Sequence, residues 1–438
     1  MKFKKIGFIS CALYYPAAVF ALDLNVKPGD EVNNTEIFQG DIQNVYGGSV
    51  TNTIINRWGY QNVYGGSVTN TTIKSGAVQY VNGGSVSETI IDSRGTQEVT
   101  GGSVTDTIIN DWGYQDVFGG SVTNTIIHNE GSQTVTGGSV TNTIINGGYQ
   151  KVSGGSVTNT INNGGSQIVT GGTVNNVGVS GQDAWLYLGP EMNNMKPVIT
   201  GDITISDKGR IFLSYGADSS GADMTVNNDA SLQLINAGAC TTNCLYTLNS
   251  LALSGGSVAL YNTPSGTSTG WNTLNLSSLS GNGDFYMHTE VASGKGDFLN
   301  ITGNATGSFR LFIQDSGVSP TSDDSLLLVK TGGGDAVFTL GNKGGLVELG
   351  TWEYRLKENN SGSWLLSPDL SPAPQPDPAP QPDPAPQPDP APQPDPAPQP
   401  DPAPQPDPAP QPDPAPQPDP APQPDPAPQP APAPQPDP

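Results

Sequence analysis

The sequence QNVYGGSVTNTIINRWGY, residues 43–60, is followed directly by a near copy, QNVYGGSVTNTTIKSGAV, at residues 61–78. The motif Gly-Gly-Ser/Thr-Val recurs eight times, first every 18 residues and finally every 17, starting at Gly47, Gly65, Gly83, Gly101, Gly119, Gly137, Gly154 and Gly171. A fixed period of this length indicates a solenoid built from stacked structural units.

Each unit carries the same chemistry at the same offset. A Gln stands two residues before a Val ahead of the glycine pair, and Ser-Val-Thr-Asn-Thr-Ile-Ile or a near copy follows the pair. These segments are short and β-branched, and glycine supplies the positive φ angles of sharp corners. Because Thr, Asn, Val and Gly are poor helix formers, a helical solenoid is excluded. We therefore predict an all-β fold, a right-handed parallel β-helix with Val and Ile in a narrow core.

The Asn of this segment recurs in register in most of the units. If the coils stack directly, their backbones lie about 4.8 Å apart and equivalent side chains form columns. We predict that one column is an amide ladder, a form of stacking that extended β structures favour. Its members are Asn52, Asn70, Asn124, Asn142 and Asn159.

The two ends of the chain differ in composition from the repeats. Lys2, Lys4 and Lys5 precede the apolar run from Ile6 to Ala21, a pattern typical of a secretory signal peptide. Near the C-terminus, every second residue from Pro372 is proline. Since proline lacks a backbone donor and fixes φ, we predict a disordered, extended spacer there.

These changes divide the chain into six predicted segments. They are a signal peptide (1–21), an N-terminal cap (22–42), the 18-residue repeats (43–179), degenerate coils of the same helix (180–273), a C-terminal cap (274–367) and the Pro-rich spacer (368–438).

Charge and cysteine content narrow the possible partners and ligands. The net charge is −23 with only 17 Lys and Arg, so no basic patch is expected to bind a nucleic-acid backbone. Cys240 and Cys244 enclose three residues, and an oxidising compartment favours a disulfide between them. The alternative, half of a zinc site, lacks the further ligands that tetrahedral zinc needs.

The array of Gln-x-Val followed by Gly-Gly-Ser-Val-Thr-Asn-Thr-Ile-Ile resembles the repeats of AIDA-type and antigen-43-type autotransporter adhesins over about residues 43–179. A second set of residues resembles the pertactin-like autochaperone region, which in that family seeds folding of the β-helix. Its landmarks here include Leu274, Leu276, Gly281, Phe285, Asp297, Trp352, Tyr354 and Trp364.

The resemblance implies the surface-exposed passenger of an autotransporter. In that family an outer-membrane translocator barrel follows the spacer, whereas this sequence ends within its spacer. We therefore expect a barrel supplied in trans, with the passenger at the cell surface, bound to the outer membrane or secreted. Without a translocator, we expect the chain to remain in the periplasm.

Some passengers of this family are serine proteases or lipases, so possible catalytic residues were sought. Gln314-Asp315-Ser316-Gly317 partly matches a protease nucleophile motif, and His288 is the nearest candidate base. The motif lacks its preceding glycine, and sequence proximity does not establish a catalytic geometry. The glycine pairs are not followed by a helix start, which a phosphate cradle needs. We expect no catalytic residue, cofactor or metal.

Aromatic residues at the turn before each Gln are the candidate binding face: Trp58, Tyr60, Trp112, Tyr114 and Tyr149. Trp58 and Trp112 are three coils apart, which predicts about 14 Å along one edge. Exposed aromatic rings suit contact with sugars or proteins. In the alternative interpretation, these rings only cover the turn.

The leading functional hypothesis is a non-catalytic adhesin that mediates cell attachment, autoaggregation or biofilm formation. Its expected partners are surface proteins or glycans of a host or of bacteria, and other copies of itself. Two alternatives are a truncated, barrel-less fragment without adhesive function and a secreted hydrolase on a β-helix scaffold.

Overall fold

The computed structural model describes residues 5–6, 23–190, 195–236, 240–261, 270–321, 323–350, 352–359 and 362–369. The predicted signal peptide, apart from residues 5–6, and the predicted spacer, apart from 368–369, lie outside the described residues. Within the described residues no helix is long and apolar enough to span a lipid bilayer. The described elements are β-strands and two short 3₁₀ helices.

The repeats alternate between strands of four residues and strands of seven. The first strands are β1 (Lys5–Ile6), β2 (Asp23–Val26), β3 (Glu31–Ile37), β4 (Ile42–Val45), β5 (Ser49–Ile55), β6 (Tyr60–Val63), β7 (Ser67–Ile73), β8 (Val78–Val81) and β9 (Ser85–Ile91). The pattern continues in β10 (Thr96–Val99), β11 (Ser103–Ile109), β12 (Tyr114–Val117), β13 (Ser121–Ile127), β14 (Ser132–Val135) and β15 (Ser139–Ile145).

Later strands are longer and less regular. They are β16 (Tyr149–Asn163), β17 (Ser166–Ser180), β18 (Trp185–Leu188), β19 (Val198–Ser206), β20 (Arg210–Ser214), β21 (Asp218–Asn227), β22 (Ser231–Ile235), β23 (Asn243–Ala259) and β24 (Trp271–Glu290). After the 3₁₀ helix η1 (Val291–Ser293) come β25 (Lys295–Gly296), β26 (Phe298–Asp315), β27 (Leu326–Gly334) and β28 (Val337–Leu340). The chain continues through η2 (Lys343–Gly345), β29 (Val347–Leu349), β30 (Trp352–Asn359) and β31 (Ser363–Pro368).

Each repeat strand pairs in parallel with its own copy one coil away. Between β11 and β13, for example, Val104 lies opposite Val122 and Ile109 opposite Ile127. This register confirms the predicted parallel β-helix, because a period that matches the coil places identical residues in one column. Residues 23–37 already pair in the same way with the first repeat. At the other end, β27, β29, β30 and β31 pair in antiparallel fashion.

The core of the repeat region contains two separate apolar columns. One column holds the two valines of each coil and continues into the later coils. The other holds one Ile from each coil: Ile37, Ile55, Ile73, Ile91, Ile109, Ile127 and Ile145, together with Ala77. A buried polar layer of Gln and Thr accompanies them, made of Gln61, Gln79, Gln97, Gln115, Gln133, Gln150, Thr71, Thr89, Thr107, Thr125 and Thr143.

The buried Gln side chains form a continuous ladder along the stack. Each Nε2 donates to the Oε1 of the Gln one coil earlier at 2.6 to 2.7 Å, from Gln61 onto Gln43 through to Gln167 onto Gln150. Thr hydroxyls lie 3.3 to 3.4 Å from several of these amides. In-register stacking therefore gives each interior amide its hydrogen bonds without water.

The predicted Asn ladder is also present, on the outside of the coil. Asn70 donates to Asn52 at 2.8 Å, and Asn159 donates to Asn142 at 3.1 Å. Asn52, Asn70 and Asn142 are each the fourth residue of a seven-residue strand and have a positive φ, 58° at Asn70 and 57° at Asn142. Asn tolerates this left-handed conformation better than most residues. The ladder therefore marks a kink within every seven-residue strand.

Candidate functional site

The kink decides which side chains of the repeat face solvent. After Glu88, the fourth residue of β9, Thr89 and Ile91 are buried, whereas Ile90 is half-buried on the outer face. Successive side chains of a strand point to opposite faces, so only one Ile of each Ile-Ile pair can enter the core. The expectation that Ile fills the core is thus correct for the second Ile and wrong for the first.

The outward isoleucines form the floor of a groove of about 540 Å³. Its floor residues stack in register and are Ile90, Ile108, Ile126, Ile144 and Ile161. One wall is the column of kink residues: Asn70, Glu88, Asp106, Asn124, Asn142 and Asn159. We call this surface the isoleucine groove. The groove was not predicted from the sequence, although the Ile-Ile pairs were the available signal.

The wall of the isoleucine groove is acidic at one place. Glu88 and Asp106 are exposed and occupy two successive coils where most others have Asn. Asp106 accepts a 2.9 Å hydrogen bond from Asn124. Neither carboxylate forms an ion pair within the described part of the chain, where the ion pairs join Arg310 to Asp284 and Arg355 to Asp369.

The two predicted tryptophans stand in one corner column, in an unusual backbone conformation. Trp58 has φ 64° and Trp112 has φ 59°, and their indoles are 45% and 50% exposed. Other coils also have positive φ at this corner, where they place Gly40, Gly76, Arg94, Glu130, Gly147 and Gly164. A left-handed conformation costs a non-glycine residue roughly 1–2 kcal/mol. The Trp58 ring covers Gly76 in the next coil.

The three predicted tyrosines lie in the adjacent column. Tyr60, Tyr114 and Tyr149 begin strands β6, β12 and β16, two residues after the left-handed corner position. Tyr114 is exposed, whereas Tyr60 and Tyr149 are half-buried. The fold therefore gathers the five aromatic residues into two neighbouring columns, and their use as a binding face stays a prediction.

Two carboxylates lie in the column two residues after these tyrosines along the strands. Glu98 is paired in register with Tyr80 on one side and Asp116 on the other. Burial and the Asp116 charge raise the pKa of Glu98, and burial raises the pKa of Asp116 against a hydrogen bond from Thr134. This part of the face therefore combines rings with carboxylates that are partly shielded from water.

Ser316 and His288 make different contacts from those of a nucleophile and its base. His288 stacks on Trp271, with ring centroids 5.3 Å apart, and lies 5.8 Å from Tyr261. The described hydrogen bonds of Ser316 join it to Asp315 and to the carbonyl of Thr289. Cys240 and Cys244 form a disulfide, and the Cys240 carbonyl accepts a hydrogen bond from Asn236.

A long stack of in-register coils with exposed side-chain columns defines the class of repeat-built β-helices. Residues 248–368 match the family model described as Pertactin. The chain is 46% identical over 202 residues to the probable autotransporter YpjA of Escherichia coli K12, which covers 45% of this chain and 13% of that protein.

A second curated relative is the autotransporter adhesin/invasin TibA of Escherichia coli O78:H11, 52% identical over 100 residues, 23% of this chain and 10% of TibA. The crystal structure of a hyper-glycosylated TibA fragment aligns with 73% of this chain and 97% of that fragment, at 23% identity and a TM-score of 0.37. The chain thus spans a small part of the curated relatives it matches. It carries an autotransporter passenger region with a pertactin-like segment.

Proposed function

We propose that this chain is a non-catalytic adhesive passenger that is exported to the cell surface or outer membrane. The observation that carries the proposal is the pair of exposed tryptophans, Trp58 and Trp112, in one corner column of the stack. Large apolar rings that stay exposed at the surface favour a role in binding over a role in folding.

The chemistry of the face supports contact with proteins or glycans. Aromatic rings combine a large apolar surface with little loss of side-chain entropy, and they dominate many binding interfaces. The columns repeat along the stack, so contacts that are weak singly can combine into useful avidity. Surface proteins or glycans and further copies of the chain are the proposed partners, with an outer-membrane translocator acting in export. A relative that is named an adhesin/invasin supports this assignment.

The test removes both indole rings while keeping the left-handed backbone conformation of the corner. A Trp58→Gly, Trp112→Gly variant places at both corners the residue found at Gly40, Gly76 and Gly147, so its fold is expected to remain intact. Wild type and variant are displayed with a translocator on a non-aggregating bacterium, and settling and attachment to cultured cells are measured. We expect wild type to promote both and the variant to lose most of that effect at equal surface display.

A matched control removes an exposed aromatic ring elsewhere. Phe118 is 52% exposed, and Thr100 and Thr136 occupy its position in the neighbouring coils, so Phe118→Thr is expected to adhere like wild type. Displayed wild type that neither settles cells nor attaches them contradicts the adhesive function. Turnover of ester or peptide substrates by the purified chain contradicts the non-catalytic part of the proposal.

A further inference from the structure

We propose that the isoleucine groove binds an extended polypeptide in the polyproline II conformation that carries basic side chains. The groove is a surface separate from the tryptophan corner, so this inference goes beyond the proposed adhesive function and takes only its biological setting from it. The groove runs along the stack, since its floor consists of equivalent residues from five successive coils, Ile90 to Ile161. A ligand that fills it lies across the strands and meets one isoleucine per coil.

The spacing of the floor selects the conformation of the ligand. Successive coils are about 4.8 Å apart, so every second isoleucine recurs at about 9.6 Å. A polyproline II helix repeats every three residues, about 9.3 Å, and its side chains drift from the isoleucines by only about 0.6 Å over five coils. An α-helix turns every 5.4 Å and drifts by about 2.4 Å over the same length. The polyproline II helix is therefore the better match.

The chemistry of the floor agrees with this geometry. The floor residues are aliphatic, and four of the five are half-buried while Ile161 is 50% exposed. Pyrrolidine rings and aliphatic side chains release water from such a surface without needing hydrogen-bond partners there. A polyproline II segment also keeps its own backbone carbonyls free. Asn124 and Asn142 of the wall each donate one amide N–H within the ladder, which leaves the second N–H of each amide for such a carbonyl.

The charge of the wall selects basic side chains on the ligand. Glu88 and Asp106 lie in neighbouring coils beside Ile90 and Ile108, and the groove is lined by no Lys or Arg among the described residues. Carboxylates about 4.8 Å apart repel each other, and a Lys or Arg placed between them relieves that repulsion. A second copy of this chain has a net charge of −23, so it is a poor source of the basic side chains that the groove favours.

The full chain is tested against three labelled peptides by fluorescence anisotropy at physiological salt. Repeating Pro-Pro-Lys has both the conformation and the charge, Pro-Pro-Glu has only the conformation, and Gly-Ser-Lys has only the charge. We expect the first peptide to bind at least about tenfold more tightly than the other two. Equal binding of Pro-Pro-Lys and Gly-Ser-Lys overturns the proposal, because it shows charge attraction alone.

The binding site is located by substitutions that copy residues found at the same position in other coils. Ile108→Thr with Ile126→Thr copies Thr72, which occupies the same position two coils before Ile108, and is expected to weaken Pro-Pro-Lys binding about tenfold. Glu88→Asn with Asp106→Asn copies Asn70 and Asn124 and is expected to remove the preference for Lys over Glu. Unchanged binding by either variant overturns the proposal.

The control removes the same number of charges away from the groove. Asp92→Asn with Asp111→Asn copies Asn110 and Asn129 in the neighbouring coils, and its peptide affinity is expected to equal that of wild type. Analytical sedimentation tests whether the groove is instead occupied by a second copy of the chain. If the isoleucine variants abolish self-association while no peptide binds to wild type, the groove joins copies of the chain and the proposal is wrong.

Adhesion and peptide binding are separable results. If displayed wild type adheres but purified wild type does not bind Pro-Pro-Lys, the groove proposal fails alone. If peptide binding is present but displayed wild type does not adhere, the proposed adhesive function fails alone.

Discussion

The side-chain amide of Gln115 donates a 2.7 Å hydrogen bond to the side-chain oxygen of Gln97, its counterpart one coil earlier, and both side chains are fully buried. The ladder has defined ends. Gln43 lies opposite Leu24 and Gln167 lies opposite Leu186. The terminal atoms of the ladder, Gln43 Nε2 and Gln167 Oε1, are therefore buried without a hydrogen bond in the described structure. Replacing an interior Gln therefore removes more hydrogen bonds than replacing a terminal Gln.

Gln115→Leu is expected to lower the free energy of unfolding by about 2–4 kcal/mol. The change removes the hydrogen bonds to Gln97 and from Gln133, together with those to Thr107 and from Thr125. The Gln97 oxygen then has no partner, and the Gln133 amide keeps only its longer bond to Thr125. The measurement is denaturant unfolding at equilibrium, or the rate of unfolding if the transition is irreversible.

The matched control is Gln43→Leu at the end of the ladder. It removes an Nε2 atom that already lacks a partner and leaves only the Gln61 amide unpaired, so its cost is expected to be about half as large. Equal losses for the two variants contradict a ladder whose interior bonds stabilise the stack.

Gly137→Ala is expected to destabilise the repeat region by more than about 3 kcal/mol. A Cβ at Gly137 lies 2.2 Å from the carbonyl oxygen of Phe118 in the preceding coil, and backbone atoms of stacked coils cannot move apart without breaking the pairing. Gly178 is the control, because a Cβ there meets nothing within 4 Å. Gly178→Ala is expected to change stability by less than about 0.5 kcal/mol, and similar effects at both sites contradict the corner packing.

The stacking of the coils follows directly from the sequence. Parallel in-register pairing requires equivalent residues one coil apart, so the spacing of Val104 and Val122 is sufficient to predict their contact. The same spacing predicts that Trp58 and Trp112 share a corner column. Those parts of the fold depend only on the period.

The direction of each side chain depends on a backbone feature that the period does not report. A kink at Asn52 resets the alternation of the strand, which buries Thr53 and turns Ile54 outward. Without the kink, the order of polar and apolar residues does not distinguish Ile54 from Ile55. The isoleucine groove was missed for this reason, and the burial of the Gln side chains was missed because a lone Gln normally favours the surface.

Asn142→Ala is expected to destabilise the protein more than Asn142→Gly, by about 1 kcal/mol. Both changes remove the hydrogen bonds to Asn124 and from Asn159, but only alanine resists the positive φ of 57°. Asn142→Asp, which copies Asp106, is expected to be the mildest of the three. A larger loss for glycine than for alanine in denaturant unfolding contradicts the left-handed kink.

Asp297→Asn is expected to flatten the dependence of stability on pH. Asp297 is 1% exposed, and its carboxylate accepts backbone hydrogen bonds from Asn272 at 2.8 Å and His288 at 2.7 Å. Burial raises the pKa of Asp297 to about 7, against these two hydrogen bonds. An unfolded Asp titrates near 3.9, so the folded state binds this proton more tightly and loses stability as the pH rises from about 4 to about 7, with a slope of up to about 1.4 kcal/mol per pH unit.

His288 contributes to the same profile with the opposite sign. Burial lowers the pKa of His288 below its usual 6.5, so its contribution to stability is lost as the pH falls below that value. The free energy of unfolding is therefore measured across this range for wild type, Asp297→Asn and the exposed control Asp202→Asn. The difference between wild type and Asp297→Asn isolates the buried carboxylate, since both retain His288. The Asp202→Asn profile should follow wild type, and an Asp297→Asn profile parallel to wild type contradicts the raised pKa.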